Sequence, residues 1–144
     1  MYISMEKEEW IVVKGSCSIR PMKGAVKINC MSLRSQIHIP NGMVGLIEAL
    51  EPSELEVSIN EHSFLEKRKE AVPKEWFSAM DEIKDAEKIM VIGALDSGKS
   101  TFILFSSNYL IENNVRVAIV DADVGQSEIG PPTLISVGIP SSQV

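Results

Sequence analysis

The stretch Ile89 to Pro132, IMVIGALDSGKSTFILFSSNYLIENNVRVAIVDADVGQSEIGPP, decides how this chain is read. It holds an apolar strand-like run, a glycine loop ending in Gly98-Lys99-Ser100, a helix-like run, a second strand and then Asp121-Ala122-Asp123. Gly93 to Ser100 fits G-x-x-x-x-G-K-[ST] without a mismatch. Gly93 and Gly98 permit backbone angles that a side chain would forbid. The main chain of Gly93, Ala94, Leu95, Asp96, Ser97 and Gly98 can then turn its N–H groups toward phosphate oxygens. Lys99 places an ammonium near the β- and γ-phosphates, and Ser100 offers a hydroxyl to Mg²⁺. A helix opening at Lys99, Ser100 and Thr101 adds its positive dipole end to the same anion site. The expected chemistry is that of a nucleoside triphosphate.

The second strand, Val117-Ala118-Ile119-Val120, is small and β-branched, as expected of a fully buried parallel strand. Lys88 to Ile92 is expected to be its buried neighbour, joined to it by an apolar-rich helix over Thr101 to Ile111. Carboxylates just past the end of the second strand sit at the edge where open α/β sheets bind ligands. Asp121 and Asp123 are two apart and face the same way if the strand persists. Two like charges that close either share a metal ion or raise one pKa. A Mg²⁺ ion held with Ser100, plus a base for a substrate hydroxyl, meets that requirement.

GALDSGKST followed after one helix by DADVGQSEIGPP resembles the polynucleotide 5′-hydroxyl kinases. That family includes the kinase subunit of the eukaryotic pre-mRNA cleavage machinery, a ribosomal-RNA-processing kinase and shorter archaeal enzymes. Val72-Pro73-Lys74-Glu75-Trp76, with Ile83 before the first strand, resembles the archaeal members. The resemblance covers Val72 to about Pro140. It implies ATP and Mg²⁺ at Lys99 and Ser100, and Asp123 as the residue that activates an RNA 5′-hydroxyl. Asp121 becomes a metal or water ligand, and Lys99 and Asp123 form the catalytic pair. The implied partners are RNA 5′-hydroxyl ends, with DNA as the alternative, and an RNA-processing complex. Thr133 stands where the family pattern has a glycine after the prolines.

The 144 residues are 44% hydrophobic and 24% charged, which suits a soluble globular protein, and the net charge of −6 argues against a broad nucleic-acid-binding face. The acidic start MYISMEKEEW has no apolar signal core, and no apolar run reaches membrane-spanning length, so a cytoplasmic protein without a membrane partner is expected. Cys17 and Cys30 form no C-x-x-C pair and are expected reduced and partly buried. His38 and His62 stand apart and read as structural or exposed.

The expected fold class is α/β, with a small N-terminal β-rich domain followed by the first half of a P-loop NTPase parallel-sheet domain. The boundaries are 1–66 for the β-rich domain, 67–87 for a linker and packing helix, and 88–144 for the partial P-loop domain. Short alternating runs at Trp10–Val13, Cys17–Arg20, Ala25–Asn29, Gln36–Ile39 and Leu55–Ile59, broken by turn residues, predict a sandwich or barrel. Lys67-Arg68-Lys69 reads as a solvated linker, with RNA contact as the alternative. Pro73 suits the first turn of a helix, and Trp76, Met80 and Ile83 form a packing stripe on it. Core packing is the expected role of Trp76, with base stacking the alternative.

From Lys88 onward, roughly 57 residues cannot cover both faces of a parallel sheet. The chain is therefore read as the N-terminal part of a longer kinase, its arginine-bearing lid past Val144, and the activity of this length of chain is left open. Two other classes stay in view. One is an ATP-binding, non-catalytic subunit of an RNA-processing complex. The other is a partition-type P-loop ATPase, whose members usually carry an extra lysine early in the loop, where this chain has Ala94. ATP and GTP are not distinguished by these residues.

Overall fold

The computed structural model describes residues 1–123, 125, 127 and 129–140. Val124, Gln126 and Glu128 of the DADVGQSE stretch, and the chain end 141–144, lie outside the described residues. In chain order the elements are β1 (Tyr2–Met5), β2 (Trp10–Lys14), β3 (Cys17–Lys23), β4 (Val26–Ile28), β5 (Met31–Ser32), β6 (Ile37–Ile39), β7 (Val44–Ala49), β8 (Ser53–Ile59), β9 (Phe64–Arg68), α1 (Lys74–Ile83), α2 (Lys99–Glu112), β10 (Ile119–Asp121) and β11 (Ser136–Gly138).

Two antiparallel sheets stack face to face. One runs β1-β8-β3-β6 and the other β5-β4-β7-β2-β9. Strand alternation fills the space between them: Ile11 and Val13 from β2, Cys17 and Ile19 from β3, Ile47 and Ala49 from β7, and Leu55 and Val57 from β8 form one buried cluster. Burying an aliphatic side chain of this size stabilises the fold by about 1.5–3 kcal/mol.

The five-stranded sheet is covered on its other face too. There the alternate residues Trp10, Val12, Val44 and Leu46 meet Val72, Met80 and Phe105 in a second cluster. Phe105 is fully buried, with the rings of Trp76 and Phe77 edge-on at 5.7 and 5.9 Å. The result is three layers, sheet on sheet on helices. Trp76 takes the core-packing role that its helical stripe predicts.

The β4–β5 hairpin closes through Asn29 and Cys30, with Ile28 opposite Met31. Both turn residues have positive φ, 44° and 69°, as a two-residue I′ turn requires. Asn29 belongs there by its tolerance of this region, whereas Cys30 is held by the second cluster.

Several sequence expectations are amended. The segment expected to begin a linker at residue 67 instead continues as β9, which pairs Arg68 with Trp10. Lys67 bonds Ser4 O and the Glu9 carboxylate, and Arg68 pairs with Glu66, so both charges serve the sheet edge. Pro73 is the residue before α1, not its first turn. Residues 88–92, expected as a buried parallel strand, form no strand, and Met90 and Ile92 are 85% and 82% exposed. The strand expected at 117–120 is β10, paired antiparallel with β11 and with Val120 exposed. The two cases differ in degree: among the described residues no strand pairs with 88–92, and β10 has only β11 beside it. Both cysteines are buried and free. His62 is exposed, and exposed His38 meets Ser18 Oγ at 3.2 Å through Nδ1.

Candidate functional site

The loop 93–98 enters α2 at Gly98, whose φ of 86° and ψ of 15° are left-handed. That conformation is nearly closed to other residues. Gly93 is constrained by space: a Cβ there would lie 2.7 Å from Ser97 Oγ. Between them Asp96 also has positive φ, 55°, which a short polar side chain tolerates. The turn is pinned by Ser97 N donating to Ala94 O at 3.4 Å, and the helix takes hold with Phe102 N to Gly98 O at 2.9 Å.

The first turns of α2 contain no acidic residue, so nothing there neutralises the positive end of a 14-residue helix. Lys99 is its first residue, and its ammonium bends back to Ala94 O at 2.7 Å. It therefore sits over the mouth of its own loop. Trp76 closes the side: its Cζ2 is 4.0 Å from where a Cβ on Gly98 would stand, and its ring lies edge-on to Phe102 at 5.1 Å. Gly98 thus abuts an aromatic pair at the junction of α1 and α2.

Asp121 ends β10, and its carboxylate is built into the loop that follows. Oδ1 accepts from Asp123 N at 3.0 Å, while Oδ2 accepts from Ser127 Oγ at 3.0 Å and Ile129 N at 3.3 Å. Asp123 is exposed, with Oδ1 accepting from Gly125 N at 3.2 Å. The two carboxylates are thereby differentiated. Asp121 organises the turn, and Asp123 is presented at its surface. Ser127 was not singled out from sequence, although a hydroxyl six residues past an aspartate inside a turn-rich stretch is the signal that identifies it.

Each half of the candidate site is bonded locally, Lys99 to its loop and Asp121 to its turn. Among the described residues no three His, Cys, Asp or Glu side chains converge as a metal cage. Magnesium does not need one, since it is commonly held by one or two protein oxygens with water and phosphate completing the shell. The serine hydroxyl and carboxylate oxygens here are of the hard type it prefers. The glycine-shaped loop, free helix amides and lysine likewise fit a polyphosphate.

Residues 93–144 match the family described as mRNA cleavage and polyadenylation factor CLP1 P-loop. The polyribonucleotide 5′-hydroxyl-kinase of Methanocaldococcus jannaschii is 43% identical over 74 residues, which are 49% of this chain and 20% of that protein. The corresponding protein of Pyrococcus furiosus is 53% identical over 57 residues, 40% of this chain and 16% of that protein. Over its P-loop segment the chain is thus similar to the polynucleotide 5′-hydroxyl kinases. It spans about a fifth of the length of these curated relatives. A solved structure of a wild-type Clp1p–Pcf11p complex superposes with a TM-score of 0.75 at 16% identity, covering 95% of this chain and 35% of that one. That likeness shows the fold alone, and its coverage takes in the β-rich half as well as the P-loop segment. No helix of the described residues is long and apolar enough to cross a membrane.

Proposed function

We propose that this chain carries the nucleotide site of an ATP-dependent polynucleotide kinase, which transfers the γ-phosphoryl group to the 5′-hydroxyl of RNA. The observation that supports this reading most is the pairing of a fully formed G-x-x-x-x-G-K-S loop on a helix N-terminus with an exposed Asp123 two residues past a structurally engaged Asp121. In the reaction the RNA hydroxyl oxygen forms the new P–O bond, the bond to the β-phosphate bridging oxygen breaks, and ADP leaves. Asp123 accepts the hydroxyl proton. Lys99 exchanges its bond to Ala94 O for phosphate oxygens and neutralises their developing charge. The amides of 93–101 bind and orient the phosphates. Ser100, with Asp121 and Asp123, would hold Mg²⁺, which when bound supplies charge neutralisation across the phosphates.

We further infer that residues 1–68, with β9 included, act as a β-rich domain, 69–87 as the connection and packing helix, and 88–144 as part of a P-loop domain whose runs 88–92 and 117–120 enter a parallel sheet. The apolar exposure of Ile89, Met90, Ile92 and Val120 supports that arrangement. RNA as substrate and an RNA-processing assembly as setting are the readings favoured by the relatives' names and the description of the matching family.

The test measures Mg·ATP affinity and phosphorylation of 5′-hydroxyl RNA on the same preparation of the native protein. Lys99→Ala should abolish ATP binding. Asp123→Asn should retain most of it yet slow transfer by about 10²–10⁴-fold, the usual contribution of a positioned base. Transfer at the wild-type rate in Asp123→Asn would remove that residue from the mechanism.

A further inference from the structure

Beyond the phosphate loop, α2 makes polar contacts with the sandwich that its apolar residues do not account for. Asn108, 1% exposed, donates from Nδ2 to the backbone carbonyl of Asn29 at 3.0 Å. One turn on, the Glu112 carboxylate accepts from Ser32 twice, from N–H at 3.2 Å and from the hydroxyl at 3.0 Å. Asn108 and Glu112 are four apart and so share a helix face. Both land on the β4–β5 hairpin. The receiving end is stiff, because the Asn29 side chain donates to Val44 O at 3.3 Å and accepts from Leu46 N at 2.9 Å, fixing the turn to β7.

We propose that Asn108 and Glu112 are positioning residues for the phosphate site, clamping α2 to the β4–β5 hairpin so that the N-terminal sandwich sets the loop's affinity for a nucleoside triphosphate. This rests on the nucleotide-site reading above. Lys99 and Asn108 lie on one continuous helix, nine residues and so about 13–14 Å apart. A helix is stiff over that length, and rocking its docked end moves the amides at its start. Hydrogen bonds from those amides weaken steeply with distance and misalignment, and a misplacement of about 1 Å in a positioned group can cost about 100-fold in rate. Packing alone would be served by leucine at 108. A buried amide is costly unless bonded, and when bonded it selects one register of helix on sheet.

The experiment titrates Mg·ATP into the wild-type chain and the variants Asn108→Leu, Ser32→Ala and Tyr109→Phe, each at a temperature where circular dichroism shows it folded. Tyr109 lies on the same helix but bonds Asp81 of α1, so it reports a loss of helix packing without loss of the clamp. Affinity should fall about 10-fold in Asn108→Leu and about 3-fold in Ser32→Ala, and stay unchanged in Tyr109→Phe. Amide exchange at Phe102, whose N–H bonds Gly98 O, should quicken in Asn108→Leu and to a smaller extent in Ser32→Ala, and stay unchanged in Tyr109→Phe. Wild-type affinity in both clamp variants would overturn the proposal while leaving the nucleotide site standing. If Asn108→Leu does not fold, Ser32→Ala decides, since it removes a partly exposed hydroxyl. A wild-type chain showing no Lys99-dependent binding would overturn the nucleotide reading and the clamp's role together.

Discussion

The β-sandwich and the segment after α2 are both built from short apolar runs, yet only the first buries them. Ile11, Ile47 and Leu55 are fully enclosed, because every strand that carries them has a second sheet on one side. Val120 and Val137, in an antiparallel pair of three-residue strands, remain 60% and 64% exposed. Composition is therefore not what separates the two regions. A β-branched run is stable as a strand only to the extent that something covers it, and a two-stranded hairpin without a covered face is marginal.

The largest test of this contrast is a pair of truncations. Ile47→Ala should cost about 2–5 kcal/mol in urea unfolding, whereas Val120→Ala should stay within about 0.5 kcal/mol. Equal losses would mean that β10 is buried in solution and the contrast is void.

A second test uses the two thiols, which belong to the enclosed region. Burial pushes Cys17 and Cys30 up from 9.0 to about 11. Between those values the unfolded chain has lost these protons and the folded chain still holds them. Their stabilisation is thus complete below pH 9 and is lost as pH rises to about 11. The fall is at most about 2–3 kcal/mol per thiol, from about 1.4 kcal/mol per pKa unit. Melting temperature followed from pH 8 to 11 should drop less steeply in Cys30→Ala than in the wild type, and parallel curves would exclude the thiol.

The smallest effect belongs to the open region. Thr133 has φ of 73°, a conformation that costs a β-branched residue about 1–2 kcal/mol. Thr133→Gly should recover about 1 kcal/mol, seen as slower amide exchange across Ser136–Gly138. Unchanged or faster exchange would show that the turn is not strained in solution.

What the sequence made legible follows the same division. The glycine turn at 93–98, the helix after it and the turn at Asp121 could be placed because particular residues at fixed spacing mark them. Thr133 could be noted as occupying a glycine position, and it carries the positive φ that a glycine would accept. Strands β2, β3, β4, β6 and β8 were legible from alternation and turn residues. β7 was not, because Val44–Ala49 is buried on both faces and so does not alternate cleanly. β1 and β9 escaped as edge strands with charged or exposed residues. The clamp was also illegible. Asn108 is visible as a polar residue inside an apolar helix, but its partner Asn29 lies 79 positions away. The burial expected of residues 88–92 failed because burial depends on neighbours, which no local run encodes.

The ring of Trp76 beneath Gly98 gives the molecule an optical consequence. The chain has two tryptophans, Trp10 in the sheet and Trp76 against the phosphate loop. With Trp10→Phe, a single indole remains, quenched or brightened by whatever rearranges its glycine neighbour. The emission of the unlabelled protein then becomes a gauge of the loop itself, readable in real time and without a modified nucleotide.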